Sequence, residues 1–330
     1  MLRDAPGFNS ATDAPFAARV PNALARSAAA RHDTNMGVRP DILCIGSVLW
    51  DVIGRTPLTM ELGQDVPGRI QRLPGGVALN IAAACLREGM QPALLSILGR
   101  DPEGRALADA CAALGLITDH VSWSDDLPTD QYMAIEAKNG LVAAVADAHS
   151  LEEAGEMILS PLRDGALADA AHPWRGLVAL DGNLSERLLQ DIAASGLFAE
   201  ADLRLAPASP GKAARLLPLL SHPRATVYLN RVEAGLVCGC TFDDAPSAAL
   251  ALVGKGARRV LVTDGAAAMA EATSGGALKT LTPPPVSVCR VTGAGDTFMA
   301  SHIAAERRGA LGAAALEEAL SATALFVSTA

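Results

Sequence analysis

Aromatic side chains are scarce in this chain: three Trp, two Tyr and six Phe make up 3% of its 330 residues. A protein that binds nucleic acid by stacking bases on rings would have few rings to use. A surplus of positive charge is also missing. The formal charge is −9, which argues against a nucleic-acid polymer or an anionic membrane as partner. No uninterrupted apolar run reaches about 18 residues, so no transmembrane helix is expected. Residues 1–40 lack the compact apolar core of a secretory signal and read as a disordered extension ahead of one folded domain, 41–330. The six cysteines (Cys44, Cys85, Cys111, Cys238, Cys240 and Cys289) are scattered. Their one close pair, Cys238 and Cys240, has neither metal-ligand spacing nor histidines nearby. Buried free thiols in a reducing cytoplasm fit that pattern. The six histidines form no ligand cluster.

What is present is a large apolar fraction, 50% of residues, rich in alanine and arranged as alternating strands and helices. Short apolar runs predict strands at Ile42–Ile45, Ala93–Leu98, Leu177–Asp181, Leu203–Ala206, Thr226–Leu229 and Arg259–Thr263. Between them helices are predicted over Ala78–Glu88, Pro102–Leu114, Leu184–Ala194, Pro210–Leu220, Val232–Cys238 and Pro246–Lys255. Met269–Ala272 and Leu278–Leu281 read as a hairpin, and two helices close the chain. This alternation predicts an α/β fold, a doubly wound, mostly parallel sheet sandwiched by helices. Two segments break the pattern. Residues 52–73 are polar and rich in turn formers, and 130–147 alternate around Lys138-Asn139-Gly140 as a hairpin does. Together they could form a small accessory sheet.

The octapeptide Val291-Thr292-Gly293-Ala294-Gly295-Asp296-Thr297-Phe298 is the most informative stretch. A β-branched, strand-like run, Val286 to Val291, enters two glycines, a carboxylate and then an apolar helical run. Glycines allow close backbone approach to a ligand, and a helix start offers unpaired N–H groups to an anion. Gly293, Ala294 and Gly295 are therefore candidate anion-hole donors. A carboxylate beside a phosphate makes sense as a proton acceptor for an attacking hydroxyl, which nominates Asp296 as general base. The competing reading is a helix N-cap, a common role for Asp. The spacing is not a dinucleotide fingerprint, because Phe298 stands where the third glycine would be.

Thr292 to Phe298 resembles the C-terminal signature of the ribokinase-like, PfkB-type sugar and nucleoside kinases. Ile45-Gly46 to Asp51, Gly75-Gly76-Val77-Ala78-Leu79-Asn80 and Asn230-Arg231-Val232-Glu233 match further motifs in that family's order. The resemblance runs from Asp41 to the C-terminus. Pro74 to Ala82 and the hairpin around Tyr132-Met133-Ala134 and Ala146-Asp147 look most like the pseudouridine kinase branch, many of whose members carry Arg at the position of Leu79. The resemblance implies ATP and Mg²⁺ as cofactors and makes the accessory sheet a lid over the substrate. A monovalent cation such as K⁺ and a homodimer stay open.

The candidate site follows. Ligands of open α/β sheets bind beyond the carboxyl ends of the strands, where all the marked residues fall. Asp51 and Asn80 can hold substrate hydroxyls, with Gly75 and Gly76 allowing close approach. Asn230 and Glu233, three apart, share a face at a helix start. Glu233 could order water around Mg²⁺, or the pair could be a capping box. Asp264-Gly265 could shape the nucleotide loop, and Tyr132 could border a base or be an ordinary strand aromatic. The expected activity is ATP-dependent phosphorylation of a primary hydroxyl on a ribose-containing molecule, with free pseudouridine first by resemblance. Another sugar or nucleoside, as for ribokinase or adenosine kinase, is the alternative substrate. A non-catalytic binding regulator is the alternative class, disfavoured by the intact Asp296 and the Asn230/Glu233 pair.

Overall fold

The computed structural model describes residues 39–329, so the expectation for residues 1–40 falls outside it apart from the last two positions. The strands are β1 (Ile42–Ile45), β2 (Leu49–Arg55), β3 (Arg69–Gly75), β4 (Pro92–Leu95), β5 (Ile97–Gly99), β6 (Ser122–Ser124), β7 (Gln131–Ala137), β8 (Gly140–Asp147), β9 (Leu177–Asp181), β10 (Asp202–Ala206), β11 (Ala225–Asn230), β12 (Arg259–Thr263), β13 (Met269–Thr273) and β14 (Leu278–Leu281). The α-helices are α1 (Val77–Arg87), α2 (Pro102–Ala113), α3 (His149–Ala154), α4 (Glu186–Ala194), α5 (Arg231–Cys238), α6 (Ala245–Gly254), α7 (Ala294–Arg307) and α8 (Ala313–Ser328).

Eight strands form the main sheet in the order β14-β13-β12-β11-β10-β9-β1-β4. Every neighbouring pair from β4 to β12 is parallel, and β13 and β14 extend the edge in antiparallel sense. All four side chains of β1 are buried, as are those of β4. Strands covered on both faces need no polar alternation, which is why these segments read as continuous apolar runs. Alternate residues serve opposite faces. Leu43 and Ile45 pack with Leu188, Ala234 and Ala248 from α4, α5 and α6. Ile42 and Cys44 pack with Ile81, Leu107, Phe298 and Leu316 from α1, α2, α7 and α8. The doubly wound sandwich follows from that division.

A second sheet has the order β3-β2-β7-β8. It is built from the two segments that broke the alternation, and Gly140 turns its hairpin with φ +102°. Residues facing each other across strands share a face, so the register that pairs Asp51 with Leu73 and with Tyr132 puts all three on one side.

Four expectations are corrected. Val286 to Val291 forms no strand. Val288 and Val291 are 60% and 73% exposed, and the segment's N–H groups at Cys289 and Arg290 go to Val327 O of α8 rather than to a sheet. Pro210–Leu219 winds as a 3₁₀ helix rather than an α-helix; Pro218, inside it, lacks a donor for the i→i−4 ladder. Ala93–Leu98 divides at Ser96 into β4, in the main sheet, and β5, which leaves to pair with β6. Among the cysteines only Cys44, Cys85 and Cys111 are buried; Cys240 and Cys289 are exposed. These two follow a helix end and lie in a loop, outside the core-facing elements.

Helix α7 is tied to the sheet by a buried polar cluster. Glu306 accepts from Arg204 at 2.6 Å and from Arg259 at 2.5 Å. The Tyr228 hydroxyl lies 2.8 Å from His302 Nδ1, and His302 has no exposed surface. Burial pushes the His302 imidazole down to about 4, against the pull of Glu306. Burial would raise Glu306, but Arg204, His302 and Arg259 draw it down to about 2. The signs work in one direction. As pH falls through about 6.5 the unfolded chain protonates His302 before the fold can, so stability is lost down to about 4. Glu306 contributes above about 4.5, and that contribution is lost as pH approaches 2. We expect His302 to account for about 3 kcal/mol of the stability lost between pH 7 and pH 4. Urea unfolding of wild type and His302→Gln across that range should show a flatter curve for the variant; parallel curves would contradict the assignment.

Candidate active site

Asp296 lies in the first turn of α7, but it does not cap the helix. The N-cap is Gly293, in the left-handed region at φ +81°. Ala294 N–H closes a turn on Val291 O at 3.1 Å. Among the described residues the N–H groups of Gly293, Gly295 and Asp296 have no hydrogen-bond acceptor, so they face outward as unsatisfied donors do at a helix start. Of the three expected donors, Ala294 is thus the one already engaged.

Asn80 of α1 lies near enough to Asp296 to lower its pKa. Burial, and after it the Asp181 carboxylate, push Asp296 up to about 7; Asn80 resists, Glu233 adds to the push and Arg87 opposes it. A half-buried carboxylate near neutral pKa is a group able to take or give a proton at physiological pH.

Asp51, in β2, stands against Gly75 so closely that a Cβ at Gly75 would fall within its carboxylate. Burial pushes Asp51 up to about 6, and among the described residues its carboxylate accepts no side-chain hydrogen bond. Tyr132 lies beside it on the same face, and its hydroxyl is pushed up by burial and by Asp51. Gly76, at φ +100°, brings the backbone onto Ser47 O, where a side chain would collide. Leu79 is 2% exposed and belongs to the core.

Asn230 and Glu233 form a complete capping box at the start of α5. Asn230 Oδ1 accepts from Glu233 N at 2.9 Å, and Glu233 Oε2 accepts from Asn230 N at 2.8 Å. Glu233 is nearly buried, which raises its pKa against the Asn230 hydrogen bonds. Its Oε1 is left over. Asp264 pairs with Arg231 at 2.9 Å, and Gly265 turns the chain after β12 at φ +59°. Among the described residues no cluster of three or more acids, histidines or cysteines would hold a metal by itself. Asp296 feels the carboxylates of Asp181 and Glu233, and this arrangement suits a cation held through water and phosphate oxygens, as Mg²⁺ commonly is.

The sequence reading missed a second layer. Asp181, at the end of β9, is fully buried and accepts from Ser47 N at 2.8 Å, Ser47 Oγ at 2.5 Å, Asn183 N at 2.7 Å and Asn183 Nδ2 at 3.3 Å. Ser47 Oγ in turn accepts from Val77 N at 2.8 Å, and Lys212 Nζ donates to Asn183 Oδ1 at 2.7 Å. One signal could have found it: an Asp at the carboxyl end of a parallel strand, the same position class as Asn230.

Helices on both faces of a parallel sheet, with acids, an amide and glycine turns gathered at its carboxyl edge, define a small-molecule enzyme of the doubly wound class. The chain belongs to the pfkB family of carbohydrate kinases, whose model matches residues 39–330. It is 26% identical over 263 residues to the pseudouridine kinase of Escherichia coli K12, covering 78% of this chain and 81% of that one. Among solved structures, a carbohydrate kinase from Agrobacterium tumefaciens superposes with a TM-score of 0.73 at 26% identity, covering 88% of this chain and 91% of the other. Arabidopsis thaliana ribokinase, complexed with ribose and ATP, shares the fold with a TM-score of 0.71 at 21% identity over 88% and 94% of the two chains. The chain is accordingly a phosphotransferase of the sugar and nucleoside kinase type, using ATP and acting on a hydroxyl group.

The capping box makes a separable prediction. Asn230→Ala should lower stability by about 1 kcal/mol, whereas Asn230→Ser, which keeps an acceptor, should lose less. Equal losses in chemical denaturation would show that the cap is not what the side chain supplies.

Proposed function

We propose that this kinase phosphorylates a primary hydroxyl of a free ribose-containing nucleoside, with pseudouridine, giving its 5′-phosphate, as the substrate. The observation that carries the reaction is Asp296: a carboxylate pushed to about 7 beside three outward N–H groups at a helix start. Asp296 takes the proton of the attacking hydroxyl as that oxygen bonds to the γ-phosphorus and the bond to the ADP oxygen breaks. The N–H groups of Gly293, Gly295 and Asp296 hold the transferring phosphoryl oxygens. Asp51 and Asn80 orient the sugar hydroxyls, and Gly75 and Gly76, lacking side chains, let the segment that leads to Asn80 pack directly against Asp51 and Ser47. The four-stranded sheet serves as a lid, with Tyr132 bordering the base.

Glu233, braced by Asn230, would order water around Mg²⁺, which would supply positive charge to the phosphates; Asp264 and Gly265 shape the nucleotide loop beside it. The K⁺ expectation attaches to no residue among those described. Pseudouridine is supported by the similarity to the Escherichia coli enzyme and by the Pro74–Ala82 and lid motifs. Leu79 lies in the core, so its difference from the Arg of many pseudouridine kinases leaves the polar surface around Asp51 and Asn80 as it is.

Two measurements test this. Asp296→Asn should lower turnover by about 10²-fold or more while ATP still binds. The wild-type kcat/KM should rise with pH through about 7, because the raised carboxylate is active only when ionised, and the variant should lack that limb. Near-normal turnover in the variant would remove the base. For the substrate, side-by-side assays with pseudouridine, uridine, adenosine, ribose and fructose 6-phosphate should favour pseudouridine over uridine by about tenfold or more, since polar groups built for one base edge are left unpaired by another. Ribose or adenosine as best substrate would overturn the substrate while leaving the kinase.

A further inference from the structure

The loop that enters α7 is fastened to the far end of the chain. Cys289 N and Arg290 N both donate to Val327 O, at 2.7 and 3.2 Å, and Arg290 Nε donates to Phe326 O at 3.0 Å. These carbonyls belong to the last turn of α8, where Val327 O has no helical N–H left to satisfy it and Phe326 O also accepts from Thr329 N at 3.4 Å and Thr329 Oγ1 at 3.0 Å. A guanidinium there also meets the negative end of the helix dipole. The same guanidinium covers the Phe326 ring at 3.7 Å from its centroid, within cation–π range. Phe326 also meets Gly293: a Cβ on Gly293 would lie 3.2 Å from Phe326 Cζ. Arg87, from α1, approaches the same ring at 5.6 Å.

We infer that Arg290 is a positioning residue for the anion hole: by gripping the end of α8 it seats Phe326 against Gly293 and fixes where the Gly293, Gly295 and Asp296 N–H groups point. Arg290 acts through Phe326 and the loop, not on the substrate. The inference rests on the reading of this helix start as the phosphoryl site.

The test uses the full chain with Arg290→Ala, Arg290→Lys and Phe326→Leu, and Asp296→Asn in parallel. Misplaced N–H donors should lower kcat of Arg290→Ala by about 10²-fold. KM for the nucleoside should stay within about twofold, because Asp51 and Asn80 are untouched. Lysine keeps the charge but not the planar fork, so Arg290→Lys should fall between. Phe326→Leu keeps apolar bulk without a ring and should lower kcat in the same sense. Added methylguanidinium should restore part of the turnover of Arg290→Ala. If Arg290→Ala does not fold, the Lys and Leu variants decide. Wild-type kcat in those variants, or a loss that appears in nucleoside KM instead, would overturn the inference. An inactive Asp296→Asn beside a normal Arg290→Ala would defeat only the positioning role; an active Asp296→Asn would defeat the phosphoryl reading itself.

Discussion

Asp181 ends β9 beside β1 and the start of α1, with no surface in contact with solvent. A buried carboxylate is tolerable only when hydrogen bonds replace its water, and four of them converge on it from Ser47 and Asn183. That requirement shapes its neighbours. Gly46 must lack a side chain because any Cβ would strike Asp181. Ser47 must carry a hydroxyl, which then accepts from Val77 N at the start of the helix bearing Asn80. Burial raises the Asp181 pKa against these bonds, and its charge in turn is the largest pairwise contribution raising Asp296. The tuning of the proposed base and the placement of its Asn80 partner therefore share one origin.

Helix α7 carries Asp296 at one end and is anchored along its length by groups that have no part in phosphate chemistry. Phe298 stacks with His302 at 6.3 Å, and both meet Tyr228 edge-on at 6.3 and 5.7 Å. Tyr228 lies in β11, two residues before Asn230. The aromatic cluster thus couples the strand that delivers the Asn230/Glu233 box to the helix that delivers Asp296. The ion pairs of Glu306 with Arg204 and Arg259 lock the next turn. A buried pair of this kind is weak evidence for net stability, but it fixes the rotation and height of the helix. In a site whose parts come from separate elements, that setting matters more than a gain in stability.

The main sheet was legible because strands buried on both faces leave uninterrupted apolar runs, and the accessory sheet because its hairpin has a turn sequence at Lys138-Asn139-Gly140. Val286 to Val291 was misread for the same reason in reverse: β-branched residues report a preference for extended backbone, not the presence of a neighbouring strand to pair with. The capping box at Asn230 and Glu233 was readable because its two partners are three residues apart. Asp181 and Ser47 were not, since they are separated by 134 positions, and only the parallel register of β1 with β9 brings them together. The engagement of Ala294 N–H was equally hidden, because it depends on the turn that Gly293 makes.

An acidic chain that binds a polyanionic nucleotide poses an electrostatic problem, sharpened by the carboxylates of Asp296, Asp181 and Glu233 at the same edge. Net charge sets the long-range field, but screening confines that field to roughly 8–10 Å at ordinary ionic strength. Local groups therefore decide. The positive end of α7, three outward N–H groups and the guanidinium of Arg87, close enough to lower the Asp296 pKa, all act within that range, and a divalent cation would add to them. The crowding of acids is then an advantage. Together with burial it holds Asp296 near neutrality. Arrival of positive charge with the nucleotide would favour the ionised carboxylate, so the proposed base would become competent when the phosphoryl donor is in place.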